Sequence, residues 1–327
     1  MKYFKSTKIQ NYLVRILATM IVVIIISCSM TIDSVVQPPS VNGGEIIPVT
    51  LNVKIETNEG QTSKLMIAVL VPKIWKASQK IKASFTSSVS SGPQQMTLIP
   101  AGTAAPKGNG LDWPAYLANK IGNGGNLIND WEWIAFYSNA DYALGGNKTE
   151  TATVSLQIPT TDDNVAFKLG YVVANSTDGL SGTDRYGSYF TGCFRVNGSG
   201  DLIDFCNPQL ATVEPRTSQD NDIVTINFDA GVATNKLETS SAIYLCGKGF
   251  TTRGDSVVVC AANQQSKLTS LGAGRWRMDI WPRQFFMQTN DTTHLTRIEY
   301  YFTDITGNVK VGYGGGNTPF VFTFKCQ

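Results

Sequence analysis

Short stretches in which apolar and polar residues alternate recur along most of this 327-residue chain. The alternation is clearest in residues 47–55, 152–158, 167–173 and 320–324, where every second side chain is apolar. A period of two is typical of a strand with one buried face, and clusters of Gly, Asn, Asp and Pro separate the stretches as turns would. The sequence therefore predicts a mainly β protein built from β-sandwich domains of an immunoglobulin-like or carbohydrate-binding-module-like kind.

One segment has the pattern of a helix instead. Asp112 is placed to cap its N-terminus, Pro114 falls in the first turn, and the glycine-rich residues 122–125 would end it. We expect one short helix, in the first half of the chain.

A polar stretch with two prolines, residues 207–220, interrupts the strand pattern. Such a composition is typical of a connection between domains. We therefore predict an N-terminal β-sandwich over 46–208 and a C-terminal β-sandwich over 209–327.

The N-terminus predicts export. A basic segment precedes an apolar run that ends at Ile26, and Ser27 and Cys28 follow. This order is that of a secretory signal, and residues 25–28 resemble a bacterial lipobox. The resemblance implies a signal peptide over 1–27, a lipid on Cys28 and, because 29–44 are rich in Pro and Gly, a flexible tether over 28–45. A plain signal peptide and a single-pass anchor are the alternatives.

Charge argues against nucleic acid as a partner. Without the four basic residues of the signal, the chain has 23 Lys and Arg against 25 Asp and Glu. Such a chain has no net positive charge to attract a phosphate backbone.

Five cysteines follow Cys28, and in an exported protein they are disulfide candidates. Cys193 with Cys206 and Cys246 with Cys260 would each close a short loop. Cys246 with Cys326 is the competing pair, and buried free thiols are a further alternative.

Residues for catalysis are scarce. A Ser-His-Asp site would need His294, the single histidine, which lies in a turn-like run typical of a surface. A glycosidase pair would come from Asp130 and Glu132. Acids two residues apart on one strand are common by chance, so we expect a protein that is not an enzyme.

No cofactor is expected, and the single histidine disfavours zinc. Residues 162–164 and 201–204 are the Asp-rich turns that would suit a structural calcium ion, although such sequences are more often simple turns.

Aromatic residues give a better indication of function. Tryptophan rings can stack on the apolar faces of sugars while neighbouring polar groups bind the hydroxyls. The candidates share a position in or beside a loop, and they are Trp113, Tyr116, Asn126, Asn129, Trp281 and Arg283. Packing in the core is the alternative for each tryptophan.

Several segments also carry a resemblance to a known family. They are residues 111–117, 124–130, 243–246, 275–277, 281–286 and 300–304. Together with the lipobox they resemble uncharacterised two-domain lipoproteins of Bacteroides-type outer membranes. The resemblance implies an association with SusC/SusD-like glycan-uptake systems and an accessory role like that of SusE and SusF.

These observations lead to one expectation about function. The protein would be a non-catalytic, lipid-anchored glycan-binding protein at the cell surface of the outer membrane. It would capture polysaccharide or oligosaccharide beside a SusC/SusD-like transport complex. A structural, assembly or adhesion lipoprotein is the alternative, and a glycoside hydrolase is the third.

Overall fold

A computed structural model describes residues 28–288 and 292–325 of the chain. The predicted signal peptide and Cys326 lie outside these residues. Within the described ranges, no helix combines the length and the apolar character that crossing a membrane requires.

The first half contains fifteen strands, one helix and a 3-10 turn over Lys73–Trp75. The strands are β1 Cys28–Val36, β2 Ser40–Asn42, β3 Ile46–Thr57, β4 Gln61–Ser63, β5 Leu65–Pro72, β6 Lys82–Ser87, β7 Ser90–Leu98, β8 Trp131–Ser138, β9 Tyr142–Leu144, β10 Lys148–Pro159, β11 Asp163–Phe167, β12 Gly170–Asn175, β13 Gly187–Phe190, β14 Phe194–Asn197 and β15 Ser199–Asp204. The helix α1 spans Trp113–Lys120.

The second half contains nine strands and a one-turn helix in the residues that the structure describes. The strands are β16 Ala211–Glu214, β17 Val224–Asp229, β18 Tyr244–Thr251, β19 Ser256–Val259, β20 Thr269–Gly272, β21 Arg275–Ile280, β22 Leu295–Thr303, β23 Lys310–Val311 and β24 Phe320–Thr323. The helix α2 spans Pro282–Phe285.

The strands form two large sheets and two small ones. The first large sheet has the order β1-β3-β10-β6-β7-β8-β5-β12-β13, and the second has the order β19-β18-β22-β24-β15-β11-β14-β2 with β23 paired to β22. The small sheets are β16-β17-β21-β20 and β4-β9. The predicted fold, mainly β with two β-sandwich domains and a short helix in the first, is confirmed.

The period-two patterns correspond to these strands because each strand buries one face. In β3 and β10 the apolar side chains at every second position are buried, and the two strands pair over their full length. Strand β5 is buried on both faces, which explains its unbroken apolar sequence. Two apolar cores result, one from residues 28–205 and one from residues 210–324.

Helix α1 follows the predicted capping pattern. Asp112 Oδ1 accepts a hydrogen bond of 3.0 Å from the backbone nitrogen of Ala115, and Pro114 lies in the first turn. The helix α2 was not predicted from the sequence, since four residues are too few to show a helical period.

The prediction of a flexible tether over 28–45 is wrong. Strand β1 begins at Cys28 and pairs with β3 from Cys28 opposite Thr57 to Val36 opposite Thr50. Cys28 is 2% exposed, and Met30 is also buried. The apolar side chains at alternating positions of β1 need a core, and the edge of β3 provides it, so the strand forms despite the Pro and Gly residues that follow it.

Strand β1 also closes the first sheet against its opposite edge. The backbone nitrogen of Met30 donates a hydrogen bond of 3.0 Å to the carbonyl of Asp184, just before β13. A Cβ atom added at Gly187 would lie 2.8 Å from the backbone nitrogen of Ile32, so a side chain there would prevent the approach. The two edge strands of the sheet thereby protect each other.

The two halves share one sheet. Strand β15 of the first half pairs with β24 of the second, with Gly200 opposite Thr323 and Asp201 opposite Phe322. The connection between the halves is therefore a strand pairing in addition to the polar segment 207–220.

Asp201 lies buried at this pairing. Its Oδ2 accepts a hydrogen bond of 3.0 Å from the backbone nitrogen of Val213. Burial raises the pKa of Asp201 from 3.8 to about 7, against the opposing effects of that hydrogen bond and of Arg216. The carboxyl group is therefore largely protonated in mildly acidic solution.

Asp201 makes the free energy of unfolding depend on pH. Because its folded pKa lies above the unfolded value, its contribution is complete below about pH 3.8 and is lost as the pH rises through about 7, a change of roughly 4 kcal/mol. Asp201→Asn stays neutral and keeps an acceptor for Val213, so we expect it to become more stable than the natural protein as the pH rises from 4 to 8. Urea unfolding at several pH values measures this difference. The exposed Glu59→Gln is the control, and parallel pH curves for Asp201→Asn and the natural protein would contradict the assignment.

Candidate functional site

Trp113 is not available to stack on a sugar. Its side chain is fully buried beneath α1, and its Nε1 donates a hydrogen bond of 2.8 Å to the hydroxyl of Tyr137 on β8. The two rings meet edge to face with centroids 6.0 Å apart. The prediction of Trp113 as a glycan contact is wrong, because this short helix needs a large apolar side chain to pack it onto the sheet.

Asn126 is also a structural residue. Its Nδ2 donates to the carbonyls of Asn123 and Lys168, and its Oδ1 accepts from the backbone nitrogen of Lys168. The side chain is buried, and its amide holds the loop after α1 against the chain at Lys168. Its prediction as a sugar contact is therefore wrong.

Tyr116 and Asn129 remain accessible. Tyr116 is half-buried on α1, and Asn129 is exposed before β8. Because Trp113 and Asn126 are buried, this end of the first domain exposes fewer side chains that could contact a sugar than the sequence predicted.

Trp281, at one end of the second domain, lies at the surface and not in the core. It follows directly after Ile280, which pairs with Val224 at the end of the β17–β21 ladder. The side chain is 40% exposed, and its Nε1 donates a hydrogen bond of 3.1 Å to Oδ1 of Asn221. The carbonyl of Trp281 accepts from the nitrogen of Phe285 in α2. A large aromatic ring is thus held in place at the surface.

Arg283, the second candidate of this region, is an interior residue. It is 6% exposed, its Nε donates a hydrogen bond of 3.1 Å to the carbonyl of Gln288, and Nε lies 3.9 Å from Oδ2 of the buried Asp220. The prediction of Arg283 as a sugar contact is wrong, because its guanidinium group secures the turn after α2 from the inside.

His294 belongs to the same buried cluster. Its Nδ1 lies 3.4 Å from Asp220 Oδ2, and that oxygen also accepts a hydrogen bond of 2.9 Å from the backbone nitrogen of Leu295. The imidazole is part-exposed, whereas the hydroxyls of Ser218 and of the adjacent Thr293 are buried and closed to a substrate. His294 and Asp220 therefore support the loops around Trp281.

The proposed glycosidase pair lies at the start of β8. Asp130 is exposed, its carbonyl accepts from the backbone nitrogen of Lys73, and Glu132 is half-buried. Burial raises the pKa of Glu132, while Lys73 lowers it. Burial on a strand is the larger effect and accounts for the raised pKa of Glu132.

The Asp-rich turns use their carboxylates as hydrogen-bond acceptors. Asp162 accepts from the Ser199 hydroxyl, and Asp163 accepts from the Thr161 hydroxyl. Asp204 accepts from the backbone nitrogens of Cys206 and Asn207. Hydrogen bonds of this kind are typical of turns that contain Asp.

Disulfides join Cys193 to Cys206 and Cys246 to Cys260. The first brings both sulfur atoms within 4.8 Å of an Asp204 carboxylate oxygen. Sulfur atoms bonded to each other are not thiolate ligands, so this cluster is not suited to a metal ion.

The sequence did not predict the cleft that lies where the two halves meet. The space in this junction cleft that the centre of a water molecule can occupy is about 40 Å³. Its lining includes Asn164, Arg195, Asp204, Gln209, Tyr313 and Phe320. These residues come from distant parts of the chain, and the one local signal was the glycine-rich run 312–316, which sequence analysis alone assigns to a turn.

The different environments of two tryptophans predict different effects on stability. Trp113→Ala removes a fully buried ring and should lower the free energy of unfolding by about 3–5 kcal/mol. Trp281→Ala removes an exposed ring and should change it by less than about 1 kcal/mol. Chemical denaturation followed by circular dichroism measures both. Equal losses for the two variants would contradict the assignment of Trp281 to the surface.

No curated protein matches this chain. Among solved structures, similarity extends to AvmM, which catalyses macrocyclisation in alchivemycin A biosynthesis, with 10% identity, a TM-score of 0.27 and coverage of 54% of this chain and 90% of that one. It also extends to the group B streptococcus pilus 2b backbone protein, with 11% identity, a TM-score of 0.26 and coverage of 90% and 89%. The major pilin subunit of Bacillus cereus has 8% identity, a TM-score of 0.23 and coverage of 91% and 66%. TM-scores this low do not support any conclusion about function.

Family models cover both halves. Residues 211–311 match a domain of unknown function, DUF8578. Residues 30–209, more than half of the chain, match another domain of unknown function, DUF4961. The chain is therefore a member of the DUF4961 family.

Proposed function

We propose that this protein is a non-catalytic glycan-binding lipoprotein of the outer-membrane surface, and that Trp281 is its accessible sugar-stacking residue. The observation that carries the proposal is the 40% exposure of a tryptophan that is nevertheless fixed at its indole nitrogen by Asn221. An exposed ring held in one orientation loses little conformational freedom on binding, which favours recognition.

The surroundings of Trp281 support this role. The buried Asp220 and Arg283 and the part-exposed His294 stabilise the loops beneath it without occupying its surface. The short helix α2 begins directly after the ring and fixes its backbone. The position is therefore rigid and open, as a stacking platform for the apolar face of a sugar must be.

Binding at one such platform is expected to be weak. A single ring buries little area, and sugar hydroxyls compete with water for the flanking polar groups. Many copies anchored on one membrane would bind a polymer with repeated sites, and the avidity would compensate for the low affinity of each contact. Membrane attachment is thus part of the proposed mechanism.

The proposed anchor is the lipid on Cys28. Because β1 begins at that residue, a lipid there would hold the first sandwich directly at the membrane surface, without a spacer. The thiol itself is buried, and burial, with a smaller contribution from Asp178, raises its pKa to about 11. Such a thiol is a poor nucleophile once the strand is in place, so lipidation would have to precede folding of β1.

A second role is favoured by another exposed residue. Ile223 is 69% exposed and precedes Val224, the partner of Ile280, so it lies beside Trp281 at the end of the ladder. Adjacent exposed apolar side chains are also typical of a protein interface. This is the arrangement that an assembly or adhesion lipoprotein would need.

Affinity electrophoresis against a panel of polysaccharides tests the glycan proposal. The natural protein should be retarded by at least one glycan, and Trp281→Ala should abolish most of that retardation because the stacking surface is removed. Tyr189→Ala, which removes another exposed ring, is the matched control and should be retarded normally. Unretarded migration on every glycan would reject the proposal. A self-association that Ile223→Ser abolishes would then favour the assembly role.

Membrane fractionation tests the anchor. Cys28→Ala should move the protein from the membrane fraction to the soluble one because it lacks the acceptor for the lipid. Its circular dichroism spectrum should be unchanged, since the substitution removes a single sulfur atom. Ser29→Ala keeps Cys28 and should remain with the membrane. A Cys28→Ala protein that stays firmly bound to membranes would show that the lipid is not the anchor.

A further inference from the structure

The exposed ring of Trp281 lies at the end of a row of polar side chains on β21. Along this strand the inward-facing Trp276 and Ile280 are buried, whereas Arg277 and Asp279 are exposed. The backbone of Trp281 remains extended, with φ −94° and ψ 106°, so the alternation of faces continues one step beyond the strand. The tryptophan ring and the two charged side chains therefore lie on the same outer face.

A second polar row runs along the neighbouring strand β17. Thr225 pairs with Asp279 and Asn227 pairs with Arg277, and the side chains of paired residues project from the same face of a sheet. The ladder between the two strands has no register shift, so the two rows, with Trp281 at their end, stay side by side over about 20 Å. We refer to Trp281 and the outward residues of both strands as the β17–β21 face, and these residues are Thr225, Asn227, Asp229, Arg275, Arg277 and Asp279.

Asp279 accepts most of the hydrogen bonds on this face. Its Oδ1 accepts a bond of 2.6 Å from the Thr225 hydroxyl and one of 3.0 Å from Nη2 of Arg277. The bond from Thr225 lowers the pKa of Asp279, and Arg277 lowers it further, so the group is a carboxylate at neutral pH. The side chains of Arg277 and Asp279 are nevertheless 49% and 53% exposed. They are therefore oriented by each other and open to a ligand.

The pair keeps hydrogen-bonding groups on its solvent side. Nη1 of Arg277 takes no part in the bonds to Asp279. Within the described chain, Oδ2 of Asp279 accepts only one bond, of 3.2 Å, from Nη2 of Arg277. A donor and an acceptor side by side match two neighbouring hydroxyls of a sugar, because a hydroxyl group can both accept and donate.

The composition of the β17–β21 face favours an uncharged ligand rich in hydroxyls. The two strands present two acids and two arginines on this face, Asp229, Asp279, Arg275 and Arg277. These charges balance, so the face offers an anionic polymer no general attraction. None of the outward residues of the two strands is apolar, whereas the centre of a protein interface is depleted of charged residues. A neutral sugar chain beside the aromatic ring fits both observations.

We propose that the β17–β21 face binds an extended, uncharged polysaccharide of β-1,4-linked sugars that lies along β21. One ring stacks on Trp281, and the following units bond through their hydroxyls to Asp279 and Arg277. The regular ladder suits a ribbon-like chain rather than a curved one, because successive units must stay over the same two strands. This inference rests on the proposed glycan binding and specifies its substrate class and the residues that select it.

The first large sheet provides a matched control surface. On its outer face Asn52 Nδ2 donates a hydrogen bond of 2.8 Å to the Ser34 hydroxyl, and Asn52 Oδ1 accepts one of 3.1 Å from the Thr153 hydroxyl. This row is polar and hydrogen-bonded like the β17–β21 face, but its strands β1, β3 and β10 contain no aromatic residue. Asn52→Ala therefore removes polar groups from a comparable surface that lacks a stacking ring.

Calorimetric titration with oligosaccharides of increasing length tests the proposal. The probes are β-1,4-linked glucose, mannose and xylose series from two to six units, and the curved α-1,4-linked glucose series is the comparison. For at least one β-linked series the affinity should rise about tenfold between two and four units, because the longer chain reaches Asp279 and Arg277. The α-linked series should show no such rise. Higher salt should leave the binding of these uncharged probes unchanged.

Variants assign the rise in affinity to individual side chains. Asp279→Ala and Arg277→Ala should each weaken binding of the six-unit probe about three- to tenfold, the effect of one lost hydrogen bond, and should leave binding of the two-unit probe unchanged. Trp281→Ala should abolish binding of both probes, and Asn52→Ala should bind them like the natural protein. Exposed ion pairs contribute little stability, so the melting temperatures should be unchanged. If one falls, the isosteric Asp279→Asn variant decides.

The outcomes separate this inference from the proposed function. If glycans bind through Trp281 but the affinity does not rise with chain length, or if Asp279→Ala and Arg277→Ala bind the six-unit probe normally, the assignment of the β17–β21 face is overturned and the proposed function stands. Tighter binding of the α-linked series overturns the choice of an extended chain. If the two polar variants lose binding while Trp281→Ala keeps it, the stacking role of Trp281 is overturned. If no glycan binds or retards the protein, the proposed function and this inference both fail.

Discussion

The pairing of β15 with β24 is the interaction on which the arrangement of the two domains depends. Two residue pairs join strands from different sandwiches into one sheet, although the chain between the domains is polar and rich in turns. The same contact buries Asp201 and forms one wall of the junction cleft from residues of both halves. A separation of the domains would therefore expose a buried carboxyl group and dismantle the cleft at once, so the geometry of the cleft and the stability of the junction are linked.

Most of the fold could be predicted from the sequence because its determinants are local. The alternation in β3 and β10 follows from the burial of one face of each strand, and the capping of α1 by Asp112 involves residues only three positions apart. The N-terminal strand was mistaken for a tether because its partners are distant. Cys28 and Met30 are buried only when β3 and the chain before β13 lie beside them, and the short apolar alternation of Cys28, Met30 and Ile32 does not reveal those distant partners.

The site was harder to predict than the fold because exposure is a property of the assembled structure. Trp113 and Trp281 are both followed by proline near a loop, yet one lies under a helix and the other at the end of a strand ladder. Arg195 and Tyr313 are far apart in sequence and meet only because β14 and the 312–316 loop border the same cleft. The disulfide-bonded cysteines lie close enough in sequence for their pairings to be among the alternatives considered, whereas the cleft had no comparable signal.

Two arginines, the buried Arg283 and the half-buried Arg195, differ in the groups that their side chains contact. Arg283 lies near the carboxylate of Asp220 and bonds to the backbone at Gln288, so its charge and donors are used to stabilise loops. Arg195 stacks on a tyrosine and keeps a shielded Nη1 that no described residue accepts from. Among the described residues, the ring of Tyr313 is the contact that orients the guanidinium group of Arg195, whereas Arg283 is fixed by an acid and a carbonyl.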